Sequence, residues 1–150
     1  VGLDGKYGRT EEERAGQREC FEAFVEKALE KNLPLVIHSR QAEREVLEVL
    51  AERRAERVLL HCFSGKAEQA LEAAERGFLF SIPPVSSKER RKIAREIPLE
   101  KLLLESDAPY LGREPTDILK SAQIIAGEKG LEVETVVAAT AENARRFYGL

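Results

Sequence analysis

The chain has 150 residues, of which 43% are hydrophobic and 34% charged, and its formal net charge is −3. This length and apolar content allow one hydrophobic core and exclude a disordered or fibrous protein. The negative charge argues against a protein that holds nucleic acid through a broad basic surface, but not against an enzyme that meets phosphates through bound metal ions. No apolar run approaches the roughly 20 residues of a membrane span, so we expect a cytoplasmic protein without a membrane partner.

The N-terminal part of the chain predicts the end of a strand, a turn and one long helix. Residues 1–4 resemble the tail of a strand. Thr10 and Glu13 have the spacing of a capping box, which predicts a helix that starts here and ends at Asn32. One face of this helix is expected to be buried because its apolar residues recur at helical spacing: Cys20, Phe21, Phe24, Val25, Ala28 and Leu29.

The rest of the chain alternates between short apolar segments and helical patterns. Strands are predicted at residues 35–38, 58–62, 78–82 and 102–105. Helices are predicted between them at residues 41–51 and 67–76, and from a cap at Ser86 or Ser87 to residue 96. After the last strand only helices are predicted, at residues 116–129, 133–139 and 141–148. This βαβ order favours a parallel sheet with right-handed crossovers.

Three of the predicted strands lead into side chains that can bind metal ions. His38 and His61, the two histidines of the chain, each follow three apolar strand residues, and Asp107 follows the last strand. The carboxyl ends of parallel strands meet at one edge of a sheet. Imidazole and carboxylate groups are the usual ligands of a catalytic divalent ion. We therefore interpret these three residues as metal ligands, rather than as core histidines and a loop acid.

Other polar residues in the same loops carry weaker signals. Arg40 and Arg113 suit phosphate contacts because a guanidinium forks onto an anion, although surface arginines are common. Ser64 lies in a turn before a helix, where backbone amides can meet a phosphate or simply close the turn. Glu105 alternates with Asp107 and can point elsewhere. Cys62 is expected to be a small buried apolar residue with, like Cys20, a reduced thiol.

Several segments closely resemble the TatD family of metal-dependent hydrolases and deoxyribonucleases, which belong to the amidohydrolase superfamily and fold as TIM barrels. The resemblance extends over essentially the whole chain, and the HCFSG and ESDAP segments are its most specific parts. The matching segments are Gly2-Leu3-Asp4, Val36-Ile37-His38-Ser39-Arg40, His61-Cys62-Phe63-Ser64-Gly65, Leu103 to Leu111, and Asn143-Ala144 ahead of Phe147.

The resemblance implies a fold and a chemistry. Residues 1–150 would form a single partial domain of TIM-barrel α/β units, about the C-terminal half to five-eighths of a barrel. His38 and His61 would bind one divalent ion, and Asp107 would bind a second or orient the attacking water, with Mg, Mn or Zn as candidates. Metal-activated water would then cleave a phosphodiester of DNA. Arg40, Ser64 and Arg113 would face the substrate, although Gly112 and Arg113 replace the first two residues of the family's Arg-Asn-Glu-Pro block.

The departures from the family pattern lead to further expectations. The family's His-x-His pair is absent, and its bridging glutamate would precede Val1; Asp4 does not match it. The chain starts inside a strand-like element and contains no methionine, so we expect residues upstream. Alone, the chain is expected to bind metal weakly and to have little activity. Its exposed sheet edges are expected to pair with another copy or with the missing part.

Other functions stay open at this point. The substrate could be another phosphoester, an amide or a lactone, and a panel of substrates would separate these. The chain could also be a non-catalytic half barrel that acts as an interaction module. A doubly wound nucleotide-binding domain fits the βαβ order too, but the chain lacks both a Gly-x-Gly-x-x-Gly loop and a Gly-Lys-Ser/Thr loop.

Overall fold

Four short parallel strands form one sheet, in the order in which they occur along the chain. The computed structural model describes residues 1–150 and contains the strands β1 (Leu35–Ile37), β2 (Val58–Leu60), β3 (Leu79–Ile82) and β4 (Leu102–Leu104). The sequence-based expectation of a parallel βαβ sheet is thus confirmed. A doubly wound domain needs a reversal of strand order, so the consecutive order excludes that alternative.

Six α-helices and two 3₁₀ turns connect and follow the strands. The helices are α1 (Glu11–Glu30), α2 (Glu43–Glu52), α3 (Ala67–Glu75), α4 (Lys88–Glu96), α5 (Ile118–Lys129) and α6 (Val133–Tyr148), and the 3₁₀ turns are Leu99–Lys101 and Pro115–Asp117. The predicted capping box of Thr10 and Glu13 is present, and the Ser87 hydroxyl accepts from the Arg90 amide at the start of α4. None of the helices is both long and apolar enough to cross a membrane.

The two faces of the sheet are covered differently. On the face that packs against the helices, strand residues such as Ile37, Leu60 and Phe80 belong to one cluster of 28 buried residues. Every helix contributes to this cluster. The opposite face carries Leu59 and Leu103, which pack against Phe147 of α6, whereas Val36 on β1 remains 40% exposed. The helical layer therefore covers one face completely, and α6 covers only part of the other.

The N-terminal residues extend the sheet beside β1, as the sequence predicts. The Leu3 amide donates to the His38 carbonyl at 3.0 Å, and the His38 amide donates to the Val1 carbonyl at 2.7 Å. Gly2 lies between them at φ 141°, where a Cβ would come within 1.9 Å of the His38 carbonyl oxygen. Only glycine fits this close approach, and it brings Asp4 next to His38.

The prediction for the buried face of α1 is partly wrong. Phe21, Val25 and Ala28 are buried, but Cys20 is exposed, and so are Phe24 (52%) and Leu29 (43%). Phe21, Val25 and Ala28 belong to the main core cluster. The other apolar residues of the helix are not covered by any element of the chain.

The predicted break between two C-terminal helices does not exist. α6 runs without interruption from Val133 to Tyr148. Thr140, at which we expected the break, is buried, and its hydroxyl donates to the Val136 carbonyl one turn earlier at 2.8 Å. Its polar group is satisfied inside the helix, so burial costs little and the helix continues.

Asn143 fixes α6 beneath β4. Its side-chain amide donates to the carbonyls of Leu99 and Leu102, both at 2.8 Å, and the residue is 2% exposed. Leu99 lies in the 3₁₀ turn before β4, and Leu102 is the first residue of β4. The asparagine that contributes to the family resemblance therefore has a structural function in this chain.

Replacing Asn143 with alanine should lower the free energy of unfolding by about 1–3 kcal/mol, because two buried carbonyls lose their donor. Denaturant unfolding followed by circular dichroism would measure the change. The control is Glu142→Ala, which lies at an exposed neighbouring position and should change stability by less than about 0.5 kcal/mol. Equal stabilities of the two variants would contradict this function of Asn143.

Candidate active site

The carboxyl ends of the strands surround a cavity of about 580 Å³. Both histidines line it, as do acidic, basic and tyrosine side chains from the loops after the strands, from residues 4–7 and from the first turn of α4. The lining residues are Asp4, Tyr7, His38, Ser39, Arg40, His61, Cys62, Ser64, Arg90, Asp107, Tyr110 and Leu111. His38, His61 and Asp107 thus share one cavity, at the edge where the sequence predicted them.

His61 and Asp107 face each other across this cavity. His61 Nε2 lies 3.7 Å from Asp107 Oδ1, too far for a direct hydrogen bond. At bond lengths near 2.1 Å, a single divalent ion could contact both atoms across such a gap. Two sharp turns create this arrangement, because Cys62 (φ 49°) and Asp107 (φ 47°) both adopt left-handed backbone conformations that residues other than glycine rarely take.

Glu105 fixes the orientation of the His61 ring. His61 Nδ1 lies 2.5 Å from Glu105 Oε2, and the Ser81 hydroxyl donates to the same oxygen at 2.6 Å. The Cys62 amide in turn donates to Ser81 Oγ at 3.2 Å. Since a carboxylate only accepts hydrogen bonds, Nδ1 carries a proton, and in the neutral ring Nε2 faces Asp107 with a free lone pair.

The hydrogen bond that His61 donates to Glu105 raises the pKa of His61 above its ordinary value of 6.5, against the opposing effect of burial. The nearby charges of Glu105 and Asp107 act in the same direction as the hydrogen bond. In the metal-free protein these contacts stabilise the imidazolium form of His61 relative to the neutral ring.

Asp4 holds a second histidine and an arginine. Its carboxylate lies 2.8 Å from His38 Nε2 and accepts from Arg40 Nη2 at 2.7 Å. Burial raises the pKa of Asp4, but hydrogen bonds from Arg40, from His38 and from the amides of Lys6 and Tyr7 together lower it to about 2. Asp4 is thus ionised at neutral pH. Because His38 Nε2 donates to it, Nδ1 is the histidine nitrogen left with a free lone pair.

Cys62 is a protonated thiol in the wall of the cavity. Burial, reinforced by the charge of Glu105, raises the pKa of Cys62 to about 12. Arg90 Nη2 donates to the sulfur at 3.3 Å. Both cysteines of the chain are free, as predicted. A neutral thiol is a poor nucleophile and a poor metal ligand, in agreement with the sequence interpretation. The expectation that Cys62 is buried is wrong, because the residue lines the cavity and is only partly buried.

The three residues predicted to contact substrate lie in different surroundings. Arg40 lines the cavity, with its guanidinium paired to Asp4. Ser64 also lines the cavity, and its hydroxyl donates to Glu43 Oε1 at 2.7 Å. Arg113 is exposed and does not line the cavity, although its backbone amide donates to Asp117 Oδ2 at 2.6 Å.

The donor set fits a divalent ion only in part. His61 and Asp107 present two ligand atoms at a suitable separation. No group of three or more His, Cys, Asp or Glu side chains is arranged to hold an ion, because His38 is turned towards Asp4. Glu105 Oε1 is buried without a hydrogen-bond partner, so the site retains an unsatisfied negative oxygen beside His61.

Sequence reasoning missed the residues that support the predicted ligands. Strand alternation could have identified Glu105, since it places Leu103 and Glu105 on one face, the face that also carries Ser81 opposite Leu103. A serine within an otherwise apolar strand was a second signal. The contacts of Asp4 and Arg90 left no comparable pattern in the sequence.

Comparisons with known proteins show the family of the chain. The family model described as TatD related DNase matches residues 1–149. The chain belongs to the TatD family. It is 38% identical, over 99% of its length, to the human protein named Deoxyribonuclease TATDN3, and 35% identical, also over 99%, to an uncharacterized metal-dependent hydrolase, YabD, from Bacillus subtilis.

Solved structures of TatD proteins share the fold. The E. coli K12 TatD homologue YJJV has a TM-score of 0.89 at 20% identity and matches all of this chain, and a TatD family hydrolase from Entamoeba histolytica has a TM-score of 0.83 at 19% identity over 99% of it. This chain covers 62% and 61% of those two chains. It covers 58% of the human relative and 63% of the B. subtilis relative, so it spans little more than half the length of the relatives it matches.

The Glu105 contact predicts how His61 titrates in the metal-free protein. Glu105→Gln should lower the pKa of His61, because the variant removes the charge that favours the imidazolium. Asp107→Asn should lower it less, since Asp107 acts only through its charge. Proton NMR of the imidazole resonances would measure both, with His61→Ala identifying the signals in a chain of two histidines.

The sign of the effect also predicts a pH dependence of stability. Because the folded-state pKa is raised, the Glu105–His61 contact stabilises the metal-free protein fully below pH 6.5, and this contribution disappears as pH rises through the raised value. The stability difference between the wild type and Glu105→Gln should therefore shrink over that interval. A difference that grows with rising pH would contradict the assignment.

Proposed function

We propose that this chain contributes to a metal-dependent hydrolase that cleaves phosphodiester bonds of DNA. The observation that carries the proposal is the pair His61 Nε2 and Asp107 Oδ1, separated by 3.7 Å in the wall of a cavity at the carboxyl ends of the strands. The names of the relatives, a deoxyribonuclease and a metal-dependent hydrolase, support the choice of reaction.

His61 and Asp107 would hold a divalent ion, with His38 as a further ligand through Nδ1 or after release from Asp4. Zn suits imidazole and carboxylate donors together, whereas Mg and Mn favour the carboxylate oxygen. A bound divalent ion makes water a better nucleophile near neutral pH and neutralises charge on a phosphoryl oxygen. The identity and number of the ions remain part of the proposal, as do the upstream ligands that the family pattern contains.

We assign separate functions to the side chains around the proposed metal site. Glu105 keeps Nε2 of His61 directed at Asp107 and prevents the ring from rotating. Asp107 is the residue to which we assign the catalytic role, because it combines a ligand position with access to the cavity. Arg40 and Ser64 are proposed to contact substrate from the cavity wall. Arg113 lies outside the cavity, so it could contact only a substrate that extends beyond the cavity.

Three further predictions from the sequence stay predictions. They are the cytoplasmic location, pairing of exposed sheet edges with another copy, and low activity of the 150-residue chain by itself. The interaction-module alternative draws on one observation, the lack of a group of three donors. Esters and amides other than DNA stay alternatives for the substrate.

Nucleotide release from single-stranded DNA by the purified chain should require Mg²⁺ or Mn²⁺ and stop on addition of EDTA. His61→Ala and Asp107→Ala should each reduce the rate at least about 100-fold, since metal-assisted stabilisation supplies several kcal/mol and each 1.36 kcal/mol is tenfold. Glu75→Ala removes an exposed carboxylate at the end of α3 and should leave the rate unchanged.

Hydrolysis that persists in EDTA, or in both site variants, would contradict the proposal. If DNA is untouched but a phosphomonoester, an amide or a lactone is cleaved with the same metal dependence, the substrate assignment is wrong and the site assignment stands. Metal binding without hydrolysis of any of these substrates would agree with the predicted low activity of the chain by itself or with an interaction module.

Metal binding can be measured separately from activity. Electron paramagnetic resonance of free Mn²⁺ should show that His61→Ala and Asp107→Ala each weaken binding, because each removes one of few ligands. Glu105→Ala should weaken it by about 10- to 100-fold, the usual effect of losing a carboxylate that orients a ligand histidine. Undiminished Mn²⁺ affinity in the Glu105 variant would contradict the orienting function, with Glu75→Ala again as the control.

A further inference from the structure

The cavity contains two arginines, and their charges are balanced differently. Arg40 forms hydrogen bonds to Asp4 through Nε at 3.1 Å and Nη2 at 2.7 Å, so a carboxylate already neutralises it. Arg90 forms no ion pair; its side chain contacts Cys62 Sγ through Nη2 at 3.3 Å. A thiol is a weak acceptor and carries no charge to offset a guanidinium. Arg90 is therefore the cation of the cavity wall that lacks an anionic partner.

One donor of Arg90 is also left without any acceptor. Its Nε atom is buried and has no hydrogen-bond partner. A buried polar group that goes unsatisfied destabilises the folded protein, and native structures rarely keep such a group without a functional reason. Nε together with Nη2 forms the edge of the guanidinium that pairs with two oxygens of an anion. An oxyanion has the charge and the two acceptor atoms that would satisfy this edge.

The position of Arg90 relates this donor to the proposed reaction. The residue lies in the first turn of α4, where its amide is capped by Ser87, and its side chain reaches across to the residue that follows His61. A substrate bound near His61 and Asp107 would lie in the same cavity as the guanidinium. The helix backbone holds Arg90 in place, so binding an anion would not require ordering a flexible loop.

We propose that Arg90 binds a non-bridging oxygen of the substrate phosphate. The identity of the bound anion as substrate phosphate rests on the proposed function. The presence of an oxyanion site does not. The proposal adds Arg90 to the substrate contacts proposed for Arg40 and Ser64. Arg40 also holds Asp4, and Asp4 in turn holds His38.

The test measures phosphate binding in EDTA, so that neither metal ions nor hydrolysis contribute. Inorganic phosphate is titrated into the chain and binding is followed by amide chemical-shift changes in NMR spectra. Arg90→Gln should weaken binding at least about tenfold, because a charge-assisted pair of hydrogen bonds is lost. Arg90→Lys should restore part of it. Arg91→Gln, an exposed charge change at the next position of α4, should stay within about twofold of the wild type.

A second variant separates binding from a purely structural role. If Arg90 only supports Cys62, then Cys62→Ala should reduce phosphate binding as much as Arg90→Gln does, and this result would overturn the proposal. If Arg90 binds the anion, Cys62→Ala should keep phosphate affinity. Acetate in place of phosphate should bind far more weakly, and equal binding would point to a carboxylate ligand and overturn the assignment to phosphate.

Failure of this proposal can be told apart from failure of the proposed function. Phosphate affinity that is unchanged in Arg90→Gln overturns the assignment of Arg90, whatever the DNA assay shows. If phosphate affinity falls but the wild type hydrolyses no DNA with Mg²⁺ or Mn²⁺, the oxyanion site stands and the nuclease proposal fails. If both hold, Arg90→Gln should also raise KM for DNA, with Arg91→Gln unaffected.

Discussion

The parallel register of the four strands is the constraint on which the site depends. Leu60 lies opposite Phe80, and Phe80 opposite Leu102, so the residues that follow the strands emerge at one edge. The alternation of side chains makes this register strict, because a shift of one residue would move His61 from the cavity to the helical layer. The apolar residues that face the helices therefore position the histidines, although they never contact a ligand.

A network of hydrogen bonds then fixes the orientation of the side chains at this edge of the sheet. Ser81, Glu105 and His61 are linked by short hydrogen bonds within a mostly buried region. Such a network restricts ring rotation, but it leaves one oxygen of Glu105 without a partner. Glu105 Oε1 and Arg90 Nε are both buried without a hydrogen-bond partner, which is unusual for polar groups in folded proteins. Both atoms belong to residues near Cys62. Unsatisfied groups of opposite charge near one cavity are what a site for a cation and an anion would require.

The sheet itself is covered unequally, and this matches the share of the family fold that the chain represents. Four strands are half the number that closes a TIM barrel, and the helices complete only the outer layer. On the inner face, α6 packs Phe147 against Leu59 and Leu103 but leaves Val36 exposed. The apolar residues of α1 that we expected to be buried are exposed for a related reason, since no neighbouring element of the chain reaches them.

Most of the secondary structure could be read from local patterns, because caps, turns and apolar periodicity act between residues close in sequence. Thr10 and Glu13 started α1, Gly77 at φ 93° followed α3, and three polar residues at the ends of apolar runs were placed at one edge. The sequence alone thus determined the class of fold and the family, and it predicted which polar residues meet at one edge of the sheet. Only the tertiary structure decided that Glu105 contacts His61, that Asp4 forms an ion pair with Arg40, and that the Arg90 side chain lines the cavity. Each of these contacts joins segments between 28 and 44 residues apart, and long-range pairing of this kind leaves no periodic trace in the chain.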